Sequence, residues 1–421
     1  MVVFPVPEVD EPVSIHVSLD VVALVAAIVG LGVAAQFLAA KYRVPSVLFF
    51  IFAGVAIGPE GLELIPSDVV GGALSTIVGV SVAVIIFEGT FRLEYGAIRE
   101  ASKAVGRTIT IGAVIAFVGT SLTVRLLLGA SWDIAFLVGA LLVATGPTVI
   151  APILAVVPVR EEVATTLEVE GIVNDVTAAV LAVVLFKAMT ARHLSPSGYV
   201  WLFVQRLATG VIVGFVVAGV VWYLLTQVEH PSETAPQTAR LLVLAGAVIA
   251  FAAADSVFSE AGIVAAATAG FTLGSLELPY REEILQFIRD VTFLVLSFVF
   301  ITLAALLEFA ELLALGAAGL AVVAVLMVVI RPLAVFVSTA GVSFTTSERV
   351  FMSFVGPRGI IPASVATLFA VRLRTEAPPS DPSGAHLLLG TVFLVILVTV
   401  VVEAGLARRV ASVLGVTESE R

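Results

Sequence analysis

Between Leu167 and Phe186 the chain reads LEVEGIVNDVTAAVLAVVLF, an apolar run that carries Glu170, Asn174 and Asp175. A charge at the centre of a bilayer costs roughly 2.5–3.5 kcal/mol on insertion scales, so each such group needs a partner or a task. No basic residue lies near Asp175 in its own run. A carboxylate placed there can take up a proton or a hard cation, or serve as a hydrogen-bonded structural group. Glu170 and Asn174 are four residues apart and share a helix face, whereas Asp175 points about 140° away from Glu170. The two acids are therefore expected to do different work. Arg331, in VVIRPLAV, is a second charge inside an apolar run and the expected partner of Glu170 in a structural ion pair. Glu88 ends a third run, in IIFEGTFRL, with Arg92 four residues on, a spacing that suits an interfacial pair. Asp255 and Asp290 fall near predicted helix ends, from which they reach water.

The elements that hold these residues are read from composition. Of 421 residues, 60% are hydrophobic and 13% charged, where a soluble domain would carry about 25% charged residues. Mean hydropathy is +1.14. Apolar runs of about 18 residues or more recur along the chain, which identifies an all-α polytopic membrane protein. About 13 spans are predicted. They lie near 19–40, 44–58, 69–91, 106–128, 133–157, 162–189, 200–227, 239–258, 261–276, 284–307, 311–338, 347–371 and 386–413. With an external N-terminus and a cytoplasmic C-terminus, about 14 of the 22 Lys and Arg fall in internal loops, as the positive-inside rule requires. No soluble regulatory domain is expected. Cysteine is absent, which excludes disulfides and thiolate sites, and His16, His193, His230 and His386 are scattered over loops and tails.

Two of the runs carry the same interruption. TGPTVIAP (Thr145–Pro152) and GPRGIIP (Gly356–Pro362) both fit G-P-x-x-I-x-P. Proline removes a backbone donor and glycine weakens a helix, so both spans should unwind. Unwound backbone is tolerated in a bilayer only where protein or a wet cavity surrounds it. Thirteen spans divide into repeat 1 (about 19–189), a linker helix (about 200–227) and repeat 2 (about 239–413), of opposite topology, with the fifth span of each repeat broken. Paired interruptions at corresponding positions of an inverted repeat point to the midplane site of a secondary transporter. Arg358, between Pro357 and Gly359, would supply fixed positive charge to the unwound region or serve structurally.

FEGTF, TGPTVIAP, EGIVND, IRPLAV and GPRGIIPA, spread over most of the chain, together resemble the monovalent cation/proton antiporters, in the sodium/proton exchanger branch with an Asn-Asp pair. The resemblance implies two crossing broken helices, a homodimer, and Asp175 as the carboxylate that binds either Na⁺ or a proton. It implies the amide role for Asn174, the core ion pair for Glu170 and Arg331, a backbone-carbonyl ligand for Thr145 and an acidic ligand for Glu88. Many relatives carry Asp where this chain has Gly146 and Ser where it has Gly171. Both departures remove oxygens, which leaves the Thr148 hydroxyl or Glu88 to supplement Asp175 and Thr145 beside Pro147.

The expected activity is secondary exchange of a monovalent cation, Na⁺ foremost and Li⁺ as well, for protons. Competition at Asp175 would make it electroneutral, in the plasma membrane. No Walker A loop, cofactor motif or nucleic-acid-binding feature is read, and no Ser/His, paired-Asp or HExxH arrangement suggests an enzyme. The alternatives are a K⁺/H⁺ or electrogenic exchanger of the same fold, or a cation channel.

Overall fold

The computed structural model describes residues 13–42, 46–58, 61–62, 72–93, 102–191, 195–227, 235–305, 309–375 and 382–417. Among them the regular elements are all helices, and Val159 and Thr417 form one isolated bridge. Helices α1 (Val13–Tyr42), α2 (Ser46–Ile57) and α3 (Gly72–Phe91) open it. A long α4 follows, running through Ser102–Arg107, a π turn at Thr108–Gly112 and Ala113–Leu128. The first broken span is α5 (Trp132–Val143) with α6 (Pro147–Val156), and α7 (Glu161–Ala191) carries Asp175. Then come α8 (Pro196–Gln227), α9 (Ala235–Val257), α10 (Ala261–Gly274), α11 (Arg281–Ala305) and the short α12 (Phe309–Ala314). Helix α13 joins Gly316–Val325, a π turn at Leu326–Ile330 and Arg331–Ser338. The second broken span is α14 (Thr346–Phe354) with α15 (Ile360–Thr375). The last helix, α16, joins Pro382–Thr399, a π turn at Val400–Ala404 and Gly405–Leu414.

Eight described helices, rather than thirteen, are long and apolar enough to cross a membrane by themselves, and Ser46–Ile57, Gly79–Phe91, Trp132–Val143 and Ala261–Gly274 are shorter apolar helices. The shortfall has a physical source. Two spans are split by their Gly-Pro breaks, and α2 and α10 are only 12 and 14 residues long. Helix association in lipid rests on close packing of small residues. At Gly210 and Gly214 of α8 an added Cβ would lie 2.7 Å from the Ala261 carbonyl and 2.6 Å from the Ala265 carbonyl. At Gly270 it would lie 2.5 Å from the Phe87 carbonyl of α3. Helix α10 is thereby clasped between α8 and α3.

The apolar interior among the described residues is dominated by one large cluster and a smaller one, with two minor groups beside them. The large cluster draws on α2, α5, α6, α7, α14, α15 and α16, and α7 is buried along most of its length. The smaller one gathers Phe87, Phe91, Val221, Ala247, Ala265 and Ile288 from α3, α8, α9, α10 and α11.

Between α9 and α10 the chain turns at Glu260, whose φ of 69° places a bulky residue in the left-handed region. Its backbone N–H donates to the Asp255 carboxylate at 2.7 Å, so Asp255 caps this turn instead of merely reaching for water. Burial, with the Asp255 charge beside it, pushes the Glu260 carboxyl up from 4.5 to about 7 against the pull of Arg372 and Arg206. The unfolded chain therefore releases this proton at lower pH than the folded protein does. Stability from this group is full below about 4.5 and is lost as pH rises toward about 7. Melting temperatures of Glu260→Gln in detergent should lack this component of the pH slope. A slope identical to wild type between pH 4.5 and 7.5 would refute it.

Candidate functional site

The two breaks meet. Helix α5 starts at Ser131, whose side chain accepts from the Ile134 N–H, and ends at Ala144, where ψ turns to 131°. Gly146 stays extended (φ −62°, ψ 110°) and Pro147 opens α6, at a position where a helix needs no N–H donor. Opposite, α14 ends at Val355 (φ −92°, ψ 98°) and residues 355–359 are non-helical before Ile360. The Gly146 N–H donates to the Pro357 carbonyl at 2.7 Å. A Cβ at Gly146 would lie 2.5 Å from Gly359 Cα and 2.7 Å from its nitrogen. The crossing is thus a backbone-to-backbone contact with no room for a side chain at Gly146. Two half-helix N-termini, at Pro147 and Ile360, and two C-termini, at Val143 and Phe354, converge on it.

Helix α7 passes the crossing with two working faces. Asp175 is 1% exposed, Asn174 2% and Thr145 2%. Among the described residues, Asp175 Oδ1, Asn174 Oδ1 and Thr145 Oγ1 are buried with no hydrogen-bond partner. A Cβ at Gly171 would lie 2.8 Å from the Thr145 carbonyl. Gly171 and Asp175 are four residues apart on one helix face, so the Thr145 carbonyl lies against the face that bears Asp175. The side chain of Thr148 lies outside the described residues.

The other face carries Glu170, 3% exposed, paired with Arg331, 7% exposed. The Arg331 guanidinium reaches both oxygens of Glu170, with the Nη2–Oε2 contact at 3.1 Å, and Nη2 also donates to the Val355 carbonyl at 3.0 Å. The π turn at Leu326–Ile330 ends immediately before Arg331 and sets its direction. Sequence reasoning foresaw the carboxylate but not the carbonyl, because nothing local marks Val355 as an orphaned acceptor. Arg358, 4% exposed, folds back to donate to the Gly356 carbonyl.

Glu88 stands in the last turn of α3. Arg92 does not form the i,i+4 pair with it; Arg92 reaches Glu168 at 3.4 Å, while Glu88 lies 4.0 Å from Arg289. Arg92 still makes the helical backbone bond to the Glu88 carbonyl at 3.1 Å, so it is its side chain, not its register, that turns away to Glu168. Glu168 precedes Asp175 by seven residues, about 10 Å along α7. Sequence reasoning also missed Glu403, which is 3% exposed in the π turn of α16 and accepts from the Gly356 N–H at 2.7 Å. Its signal was available: a lone acid in VTVVVEAGL. Among the described residues, no three His, Cys, Asp or Glu side chains converge as a multivalent metal site would require.

A profile of the family "Sodium/hydrogen exchanger, transmembrane" matches residues 23–411. The chain belongs to the sodium/hydrogen exchanger family. It is 26% identical over 399 residues to Na⁺/H⁺ antiporter 1 of Methanocaldococcus jannaschii, covering 89% of this chain and 91% of that protein. It is 27% identical over 369 residues to the K⁺/H⁺ antiporter NhaP2 of Shewanella sp. strain ANA-3, covering 86% of this chain but 61% of that longer protein. The fold matches the structure of the sodium proton antiporter MjNhaP1 from Methanocaldococcus jannaschii at pH 8 with a TM-score of 0.81, 24% identity, and coverage of 95% and 99%. As a member of this family the chain is a secondary transporter, not an enzyme, with monovalent cations and protons as substrates.

Removing one partner of a buried ion pair leaves an uncompensated charge and costs about 3–5 kcal/mol. Glu170→Gln and Arg331→Ala should therefore each lower the melting temperature well below that of Asp175→Asn. Unchanged melting in both would refute a structural pair.

Proposed function

We propose that this protein exchanges Na⁺ for protons, one for one, with Asp175 as the carboxylate that holds either ion in turn. The carrying observation is a fully buried Asp175 whose Oδ1 lacks any donor, on the α7 face that meets the Thr145 carbonyl beside two helix breaks. A hard monovalent cation wants several oxygens, and carboxylate, backbone carbonyl and water suit it. Asn174 supplies an amide oxygen in place of a second charge. A proton on Asp175 removes the negative charge that attracts the cation, so the two compete. Alternating access of a site that crosses only when loaded then couples the two gradients. Glu88, with Glu168, places acidic charge on one approach to α7, and Arg358 supplies fixed positive charge at the break. Glu170 and Arg331 hold α7 to the second broken span.

The halves, about 19–189 and 239–413, form inverted repeats joined by the helix at about 200–227. The N-terminus lies outside and the C-terminus in the cytoplasm of the plasma membrane, and two copies form a homodimer. A K⁺/H⁺ exchanger is the second reading. It is favoured by the K⁺/H⁺ relatives and by Gly146 and Gly171, which contribute no side-chain oxygens.

Reconstitution into proteoliposomes with Na⁺, Li⁺ and K⁺ tests both readings. Cation-driven proton flux with Na⁺ or Li⁺ supports the first, flux with K⁺ alone the second, and uncoupled current refutes both. Asp175→Asn should abolish exchange in a folded protein; substantial cation-dependent proton flux through it would sink the mechanism. Exchange should also be indifferent to a valinomycin potential at fixed ion gradients. Rates that change steeply with that potential would show net charge movement and overturn the one-for-one assignment.

A further inference from the structure

Glu403 has no place in the mechanism above, yet it is among the most deeply buried acids in the molecule. It lies in the π turn Val400–Ala404 of the last helix and is 3% exposed. No guanidinium lies within ion-pair distance of it among the described residues. Its Oε2 instead accepts the Gly356 N–H at 2.7 Å. Four residues earlier Thr399, 1% exposed, donates its hydroxyl to the Val395 carbonyl at 2.7 Å and accepts the Arg358 N–H at 3.3 Å. These two side chains take up the N–H groups on either side of Pro357, which has none. The last helix thus holds the peptide that carries Arg358 by its backbone.

Arg358 is the charge that links the two halves of the site. It lies within electrostatic reach of Arg331, Glu403, Glu170 and Asp175. The buried set holds three carboxylates (Glu170, Asp175, Glu403) and two guanidinium groups (Arg331, Arg358), so fully ionised it carries one net negative charge. One monovalent ion neutralises it. Without Glu403 the same set would be neutral when empty, and Arg358 would oppose any cation or proton arriving at Asp175.

We propose that Glu403, with Thr399, is a positioning residue: from the last helix it anchors and counter-charges Arg358, and through Arg358 it sets how strongly Asp175 binds cation and proton. The inference rests on Asp175 being the exchange site. Glu403 touches neither substrate nor Asp175; it acts at one remove. A unit charge within ~10 Å at an effective dielectric of ~20 changes ion binding by on the order of tenfold.

The test uses the full chain in proteoliposomes, measuring Na⁺-driven proton flux against pH and Na⁺ concentration. Wild type is run first: no exchange would refute the antiport reading itself, whereas active wild type with unmoved variants refutes only this inference. Glu403→Gln keeps an oxygen acceptor for Gly356 and removes the charge. It should raise the apparent KM for Na⁺ roughly tenfold with the maximal rate nearly kept, and move the pH profile about one unit acid. Introduced into Arg358→Gln, the same change should move both quantities by clearly less than in the wild-type background. A wild-type KM and pH profile in Glu403→Gln overturns the proposal, as does an equal shift in both backgrounds, which would bypass Arg358. A lowered melting temperature with unmoved KM would mark a merely structural group and also overturns it. Should Glu403→Gln fail to fold, Thr399→Val decides: loosening the Arg358 peptide should change the KM at least twofold, and an identical pH profile and KM would overturn the anchoring.

Discussion

Breaking two helices inside an apolar slab strands backbone N–H and C=O groups where no water can receive them, and the centre of this protein is arranged around that constraint. Several of the groups stranded at the crossing have named partners. Gly146 donates to Pro357, Gly356 to Glu403 and Arg358 to Thr399, while Arg331 donates to Val355. These contacts join both broken spans to α13 and α16. Several of the buried charges are thus where the backbone needs them, and the field they create at Asp175 follows from that placement.

The same constraint sorts the carboxylates. Glu170 is matched by a guanidinium that also satisfies the Val355 carbonyl, so its charge is taken up. Glu403 is matched by a backbone donor near Arg358. Among the described residues Asp175 Oδ1 has no donor, beside an Asn174 oxygen and a Thr145 hydroxyl in the same condition. Buried polar atoms without partners are rare in folded proteins and ask for an explanation. A site whose occupant changes between a proton and a cation is one that fits, because any permanent donor on Asp175 would compete with both.

Packing explains a chemical peculiarity as well. Gly146 and Gly171 leave the site short of side-chain oxygens, yet neither position has space for more. One lies against Gly359 and the other against the Thr145 carbonyl. The close crossing and the spare ligand set are one feature: backbone that approaches this tightly can present carbonyls and helix ends but no side chains. In the proposed exchange, the ion would then be held mostly by backbone and by a single acid.

The sequence by itself determined the membrane class, the two Gly-Pro interruptions, and the opposed faces of Glu170 and Asp175. These depend on hydropathy, proline chemistry and helical periodicity, which are local. It also showed Arg331 as a buried charge in need of an acid. Only the tertiary structure decided what lies across each gap. Arg92 went to Glu168 instead of to the acid four residues before it, and Arg331 found the carbonyl that ends α14 as well as its acid. Glu403 was turned toward Gly356 by a π turn that no residue pattern announces. Partners such as Gly356 and Glu403, 47 residues apart, are chosen by which backbone groups the breaks leave unpaired. That choice exists only once the two unwound segments have crossed.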